Sequence, residues 1–437
     1  MSGWLSVQTL TGLGAALVFA ALCMTNMRTA IVVFTAFGAV RGVQVGAFSG
    51  EEMTQGLFPV ELLATVLIGV WCLKGGLTKT IRRTPFNLPL FLLVPCSVLS
   101  LIVGFTFFDP TIPLNHMKLS VSVGQILLLL WVIGTYLVIA NSSSDLETIE
   151  RIRKTIVILA MPSLLLLVSM SFWPYVEWST SFALPASSLC FAAFFHAKNP
   201  IRKAGLLVMT IAPAIYGYRM DKAFFYAYVA VSMATIAFLC ARRLALVFIP
   251  PVLVAYILAV PVATGSFEPR FLKDVVETEE QQQSLGGDGG RDALIRDSFS
   301  IWSQHPVFGV GPGNNYPYML RYSTLGTAHN QYMNILMELG LIGLACFCWF
   351  AFGALRTGLK AWQLASRNST RIIVAGWIGL FTAMLVGGFF GDFMIPSIRN
   401  DGLQLFALFY VQWVILGVIV SIVYLERGVR TAASGQL

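Results

Sequence analysis

Long apolar runs recur along the whole chain, and they constrain its fold more than any other feature. Most runs approach 20 residues, the length at which an α-helix crosses the hydrocarbon core of a bilayer. The apolar residues are continuous and do not alternate, which argues against a membrane β-barrel. Charged residues make up 11% of the 437 residues, whereas a soluble domain carries roughly 25%. The sequence therefore predicts an all-α polytopic membrane protein with twelve or thirteen spans, near residues 10–26, 29–48, 57–73, 85–108, 119–140, 155–173, 181–196, 204–218, 223–240, 244–264, 330–355, 372–391 and 403–424.

Every second loop is rich in lysine and arginine, and this alternation predicts the orientation of the chain. The positive-inside rule places the basic loops and the carboxyl terminus in the cytoplasm. The net charge of +8 therefore reflects membrane topology, and we expect no nucleic-acid partner. No basic segment precedes the first apolar run, so we expect no cleavable signal peptide. The basic loops contain Lys74, Lys79, Arg82, Arg83, Arg151, Arg153, Lys154, Lys198, Arg202, Lys203, Arg242, Arg243, Arg356, Lys360, Arg367, Arg371, Arg427 and Arg430.

One long polar segment, residues 265–329, falls on the opposite, outer side. It divides an amino-terminal transmembrane bundle, residues 1–264, from carboxyl-terminal transmembrane helices, residues 330–437, within one structural domain. Residues 291–304 place Leu294, Ile295, Phe299 and Trp302 on one helical face. This pattern predicts an amphipathic helix that lies on the membrane surface or packs on the bundle.

His329 is a candidate general base, because it follows a glycine-rich turn on the outer side and imidazole accepts a proton near neutral pH. A helix beginning near Asn330 would favour the neutral form of the ring. The alternative is a hydrogen-bonded interfacial histidine. Gly309, Gly311 and Gly313 surround Pro312 in a turn whose backbone N–H groups could face an anion. Gly340 and Gly343 lie on one side of the following helix, where they predict close helix packing.

Basic residues are disfavoured in short outer loops, so Arg219 and Lys222 depart from the topology rule. Together with Arg291, these two residues could bind a diphosphate group, because the planar guanidinium of arginine binds phosphate through two hydrogen bonds. An Arg219–Asp221 surface pair is the alternative. Within the predicted spans, Arg41 and Glu61 lie at similar depth, as in an ion pair or a polar substrate groove. The seven cysteines lie in apolar runs and no metal-ligand motif is present, so we expect no cofactor and no metal.

Together these residues form a motif that resembles the signature of the O-antigen ligase and polymerase superfamily. The motif reads Pro306-x-x-Gly309-x-Gly311-x-Gly313, then His329-Asn330, then nine residues and Gly340-x-x-Gly343. Gly290-Arg291 and Trp302 upstream fit the same signature. The similarity covers about residues 290–350, and beyond it the chain resembles the family only in its span count and the position of its large outer loop.

The resemblance implies a GT-C-like inner-membrane glycosyltransferase with its active site on the periplasmic face. The donor would be a glycan on undecaprenyl diphosphate, and the acceptor lipid A core or a second lipid-linked glycan, among membrane lipids. His329 would be the family's essential histidine, Arg291 its loop arginine and Arg219 its other essential arginine. The chain departs from the family at Tyr218-Arg219-Met220, where Ser-Arg-Gly is common. We expect metal-independent transfer, because the sequence has no metal-ligand motif. We expect inversion at the anomeric carbon, because one displacement replaces the diphosphate.

Three acceptor classes stay open at this point, because the motif is shared by ligases, polymerases and protein O-glycosylating enzymes. A different class, a lipid-linked glycan flippase or another transporter, is the main alternative to an enzyme. The chain shows no clear repeat between its halves and its polar loop is one-sided, whereas transporters are commonly built from repeats.

Overall fold

The computed structural model describes most of the chain as long α-helices. The described residues are 7–37, 46–49, 54–57, 59–78, 81–112, 119–143, 145–169, 180–219, 223–243, 291–322, 326–395, 397–398, 403 and 405–433. The helices are α1 (Val7–Thr25), α2 (Met27–Phe37), α3 (Pro59–Leu73), α4 (Asn87–Thr106), α5 (Leu119–Ser142), α6 (Leu146–Ser169), α7 (Thr180–Phe194), α8 (Pro200–Arg219), α9 (Ala223–Cys240), α10 (Arg291–Gln304), α11 (Asn315–Met319), α12 (Gln331–Leu364), α13 (Asn368–Gly387) and α14 (Leu405–Ala433). A short antiparallel hairpin, β1 (Gly46–Ser49) and β2 (Thr54–Leu57), precedes α3.

The predicted all-α polytopic membrane fold is confirmed. Among the described residues, five stretches are long and apolar enough to cross a bilayer: Asn87–Thr106, Leu119–Ser142, Gln331–Leu364, Asn368–Gly387 and Phe406–Thr431. Five shorter apolar helices accompany them. Helices suit this environment because each satisfies its own backbone hydrogen bonds away from water. The number of twelve or thirteen spans stays a prediction, and the predicted span at 244–264 lies outside the described residues.

One predicted span boundary is wrong. The sequence predicts a continuous span at 29–48, but the described helix ends at Phe37, and Gly46–Ser49 pairs as a strand with Thr54–Leu57. The glycines at 46 and 56 disfavour a helix and suit this hairpin. The span predicted from residue 155 belongs to a helix that starts earlier, at Leu146, because charge pairs such as Glu147–Arg151 support an additional amino-terminal part.

The helices pack around a core rich in aromatic side chains. Phe350 of α12 stacks on Trp413 of α14 with ring centroids 5.4 Å apart, and Trp377 and Phe381 stack within α13 at 4.7 Å. α13 packs on α7 and α9, and α14 packs on α5. Helices before and after the predicted outer segment therefore share one core.

The two ends of the bundle differ in charge. At one end, here called the basic end, Arg82 donates to the carbonyl of Ala140, and Arg430 donates to the carbonyls of Gln363 and Leu364. α12 starts at the opposite end, here called the His329 end, where α4 and α13 finish and α5 and α14 begin. This separation agrees with the alternation of basic loops in the sequence.

Candidate functional site

A break in α12 organises the His329 end. Gly340, the tenth residue of this helix, has φ 65° and ψ −166°. Such a break leaves carbonyls before it and N–H groups after it without partners in the helix. Because unpaired backbone groups are unfavourable away from water, other parts of the protein must supply these hydrogen bonds. At 34 residues, α12 would extend about 51 Å, much longer than a hydrocarbon core of about 30 Å. The break therefore separates the short first segment of α12 from Leu341–Leu364, which spans about 36 Å.

The Pro306–Asn314 loop supplies the missing partners on both sides of the break. The N–H groups of Val310 and Gly311 donate to the carbonyls of Met337 and Glu338 at 2.8 and 3.1 Å. In return, the N–H group of Leu341 donates to the carbonyl of Pro306 at 3.0 Å. These reciprocal bonds join the loop to α12 much as two strands pair.

The glycines of the motif make this close approach sterically feasible. A Cβ atom at Gly309 would lie 2.3 Å from the carbonyl oxygen of Met337, and one at Gly340 would lie 2.2 Å from that of Val307. Gly309, Gly311 and Gly313 all have positive φ, a conformation that favours glycine. The N–H groups of Gly309 and Gly311 donate to the carbonyls of His305 and Glu338. In this structure one of these N–H groups bonds to His305 and the other to α12, and the predicted role of the three glycines in substrate binding stays a prediction. The close contact at Gly340 is with this loop and not with another helix.

The predicted helix at residues 291–304 is confirmed, and it packs on the bundle. Leu294 and Ile301 of α10 are buried in an apolar cluster with Val310, Tyr318 and Met337. The predicted common face is wrong in part, because Leu294 is buried in this cluster whereas Phe299 is exposed on the other side of the helix and contacts Trp302 edge-on at 5.3 Å. One face of α10 therefore holds the loop, while this aromatic pair faces outward.

His329 is exposed at this end of the bundle, two residues before the start of α12. Its φ of 45° makes it the one non-glycine residue in the described part of the chain with positive φ. Its N–H donates to Thr327 Oγ1 at 3.4 Å. The predicted helix start is confirmed, because Asn330 caps α12 by accepting from the N–H groups of Tyr332 and Met333.

A buried polar network lies directly behind His329, centred on Asn334. The amide nitrogen of Asn334 donates to both carboxylate oxygens of Asp392 at 3.0 Å. Its amide oxygen accepts from Asn315 Nδ2 at 3.1 Å and from the N–H of Ala328 at 3.3 Å. The network therefore connects α11, the segment preceding His329 and the loop after α13.

Gln331 connects that last loop to the start of α12. Its side-chain oxygen accepts from the N–H groups of Phe393 and Met394 at 3.1 and 3.0 Å, and its own N–H donates to the carbonyl of Gly388 at 2.8 Å. Asn330 donates to the carbonyl of Phe389 at 3.3 Å. The backbone around His329 is thus held on two sides.

A second polar group lies at the same end, beside α10. Arg321 forms an ion pair with Asp109 at 2.8 Å and lies over the ring of Tyr318. The hydrogen bond from Arg321 holds the pKa of Asp109 below its usual range. His305 contacts the ring of Tyr318 edge-on at 5.7 Å, and burial lowers the pKa of His305. This imidazole is held mainly in its neutral form.

Two of the four predicted basic residues lie in described helices. Arg291 begins α10, one turn before Leu294, whose cluster includes the neighbour of His329, Ala328. Arg219 ends α8, which starts among the lysines and arginines of the basic end and runs about 30 Å away from it. Lys222 and Arg41 lie outside the described residues. Glu61 is buried in the first turn of α3.

The sequence motif did not identify the network residues Asn315, Asn334 and Asp392, nor the pair of Asp109 and Arg321. A signal was present for Asn334, because Asn330, Gln331 and Asn334 are amides at the start of a predominantly apolar run. Asp392 is likewise an acidic residue close to an apolar run, a placement that usually marks a partnered or functional group.

Most of the candidate site falls within a stretch of the chain that matches a known protein family. Residues 204–348 match a family model described as O-antigen ligase. The match includes Arg219, the α10 helix, the glycine loop and His329, and it confirms the superfamily resemblance that the motif carries. It supports a function of the O-antigen ligase or polymerase type, and thus a glycosyltransferase type of enzyme. No curated protein matches the chain.

Proposed function

We propose that this chain, whose residues 204–348 match the O-antigen ligase family model, transfers a glycan from undecaprenyl diphosphate to an acceptor hydroxyl on the periplasmic face of the inner membrane. The observation that carries this proposal is the position of His329. It is exposed beside a buried polar network, at the end of the bundle opposite the basic loops. Lipid A core and a second lipid-linked glycan are the acceptors that this family resemblance favours.

The reaction requires one displacement at the anomeric carbon of the donor. The acceptor oxygen forms a bond to that carbon while the bond from carbon to the diphosphate oxygen breaks, which inverts the configuration. His329 takes the proton of the acceptor hydroxyl. Arg219 and Arg291 hold the diphosphate and stabilise the charge that it gains as it leaves. The products are the glycosylated acceptor and undecaprenyl diphosphate.

Backbone strain at His329 supports its assignment as the base. A non-glycine residue in the left-handed region costs of order 1–3 kcal/mol and persists only where the surrounding structure imposes it. Here the hydrogen bond to Thr327 precedes His329 and the cap at Asn330 follows it. Asn334 and Asp392 position His329 indirectly, because Asn334 donates to Asp392 and accepts a hydrogen bond from the N–H of the neighbouring Ala328.

The test is reconstitution of the purified chain with a labelled undecaprenyl-diphosphate glycan and candidate acceptors. His329→Ala should lower the single-turnover rate about 10²–10⁴-fold while donor affinity changes much less. Arg291→Ala and Arg219→Ala should weaken donor binding as well as turnover, because a diphosphate contact exists before and during the reaction. Arg→Lys should restore function only in part, since lysine keeps the charge and loses the planar fork.

Two matched variants control for general damage. Arg296 lies on α10 with Arg291 and is exposed, so Arg296→Ala should retain donor affinity. His196 follows α7 at the basic end, so His196→Ala should retain turnover. A His329→Ala protein with a near-native single-turnover rate would refute the base assignment. Movement of intact donor between leaflets, without glycan transfer to any acceptor, would instead identify a transporter.

A further inference from the structure

A cavity of about 200 Å³ lies between α6, α7 and α8, far from the candidate active site. Lys154, Arg153 and Arg202 line it on the side of the basic loops, and apolar residues including Val157, Leu189 and Leu206 line the rest. The cavity thus joins a cationic rim to an apolar wall.

The rim keeps a surplus of positive charge. The carboxylates at the start of α6 each have an arginine partner: Asp145 pairs with Arg28, Glu147 with Arg151, and Glu150 with Arg153. Lys154 and Arg202 are exposed, and among the described residues neither is in direct ion-pair contact with a carboxylate, although the hydrogen bond from Arg153, aided by the charge of Lys154, lowers the pKa of Glu150. Two cationic groups therefore remain available for an anion.

The surface beside the cavity is apolar and faces outward. Ile158, which lines the cavity, is 59% exposed, and Ile201, next to Arg202, is 81% exposed. Val208, two turns further along α8, is 62% exposed. In a membrane protein such side chains contact lipid tails, so the basic rim lies close to the level of the lipid headgroups.

We propose that this cavity binds an anionic phospholipid from the leaflet at the basic end. Its phosphodiester lies between Lys154 and Arg202, and the first carbons of its acyl chains lie against Val157, Leu189 and Leu206. Basic pockets between transmembrane helices suit such headgroups, because charge and apolar area act together. This lipid would hold α6 against α8, and the site is independent of glycan transfer.

The test uses the full chain in nanodiscs of zwitterionic phosphatidylcholine, with or without phosphatidylglycerol. Native mass spectrometry measures the lipid retained, and thermal melting measures the stabilisation by phosphatidylglycerol. Each basic residue near a headgroup is worth about 1 kcal/mol, or about fivefold in affinity. The Lys154→Gln/Arg202→Gln double variant should therefore bind phosphatidylglycerol about 25-fold more weakly and lose the rise in Tm.

Arg151→Gln is the control for the Lys154→Gln change, since Arg151 lies on the same helix and also loses one positive charge, yet does not line the cavity. It should retain the lipid and the rise in Tm. An equal loss in Arg151→Gln would overturn the proposal, because the effect would then be diffuse surface charge. The proposal also fails if glycerol phosphate or inorganic phosphate alone reproduces the stabilisation, or if phosphatidylcholine is retained equally well.

Discussion

Gly340→Ala should destabilise the protein by about 3–5 kcal/mol, because the structure uses two properties of glycine at this residue. At φ 65° and ψ −166° the backbone lies in a region that is essentially limited to glycine, and a side chain there costs of order 1–3 kcal/mol. The added Cβ would lie 2.2 Å from the carbonyl oxygen of Val307, which must move. Moving the loop lengthens its backbone bonds to α12, worth about 1 kcal/mol each.

Chemical unfolding in detergent, followed by tryptophan fluorescence, measures this cost. Gly69→Ala is the matched control: Gly69 is exposed in α3 and an added Cβ there would have no heavy atom within 4 Å. It should leave stability unchanged or raise it by about 0.5–1 kcal/mol. Gly309→Ala should resemble Gly340→Ala, and the two costs should not add, because both changes open the same contact between loop and helix.

The result that would refute this reasoning is a Gly340→Ala protein that unfolds at the same denaturant concentration as the native chain. Equal behaviour of Gly340→Ala and Gly69→Ala would show that α12 tolerates a continuous helix at residue 340. Fully additive costs for Gly309→Ala and Gly340→Ala would show that the loop and the break are energetically separate.

Three further predictions concern the polar groups at the His329 end. Asn334→Asp would place a second carboxylate against Asp392. Turnover should therefore fall more at pH 8 than at pH 5.5, because one of the two carboxyl groups can be protonated at the lower pH. An equal loss of turnover at both pH values would contradict this explanation. Arg321→Gln should cost at most about 1 kcal/mol, because its ion pair with Asp109 is partly exposed. The pKa of Asp109 is lowered in the folded chain, so the Asp109–Arg321 ion pair should stabilise the native protein equally from pH 8 to pH 5. This stabilisation should be lost only below the ordinary carboxyl range near pH 4, as measurement of Tm against pH would show. Burial lowers the pKa of His305, so the unfolded chain binds more protons below about pH 6.5 and native stability should fall from pH 7 to pH 5; His305→Gln should reduce that slope.

The sequence by itself determined the class of fold, the positions of most helices and the start of α12. These are local properties. A bilayer requires each span to satisfy its own backbone groups, so apolar length alone predicts α4, α5 and α13 to within a few residues. The capping role of Asn330 and the bounds of α10 are equally local, since a side chain reaches its own first turn and a helical face repeats within a few residues.

Only the tertiary structure decided what the motif residues contact. A glycine inside a helical pattern is compatible with a continuous helix, so the break at Gly340 becomes visible only when the loop at Pro306 lies beside it. Asn334 and Asp392 are 58 residues apart in sequence, and no local pattern links them. Their contact depends on how α12 and α13 pack, because a hydrogen bond between distant residues forms only after the helices that carry them have come together.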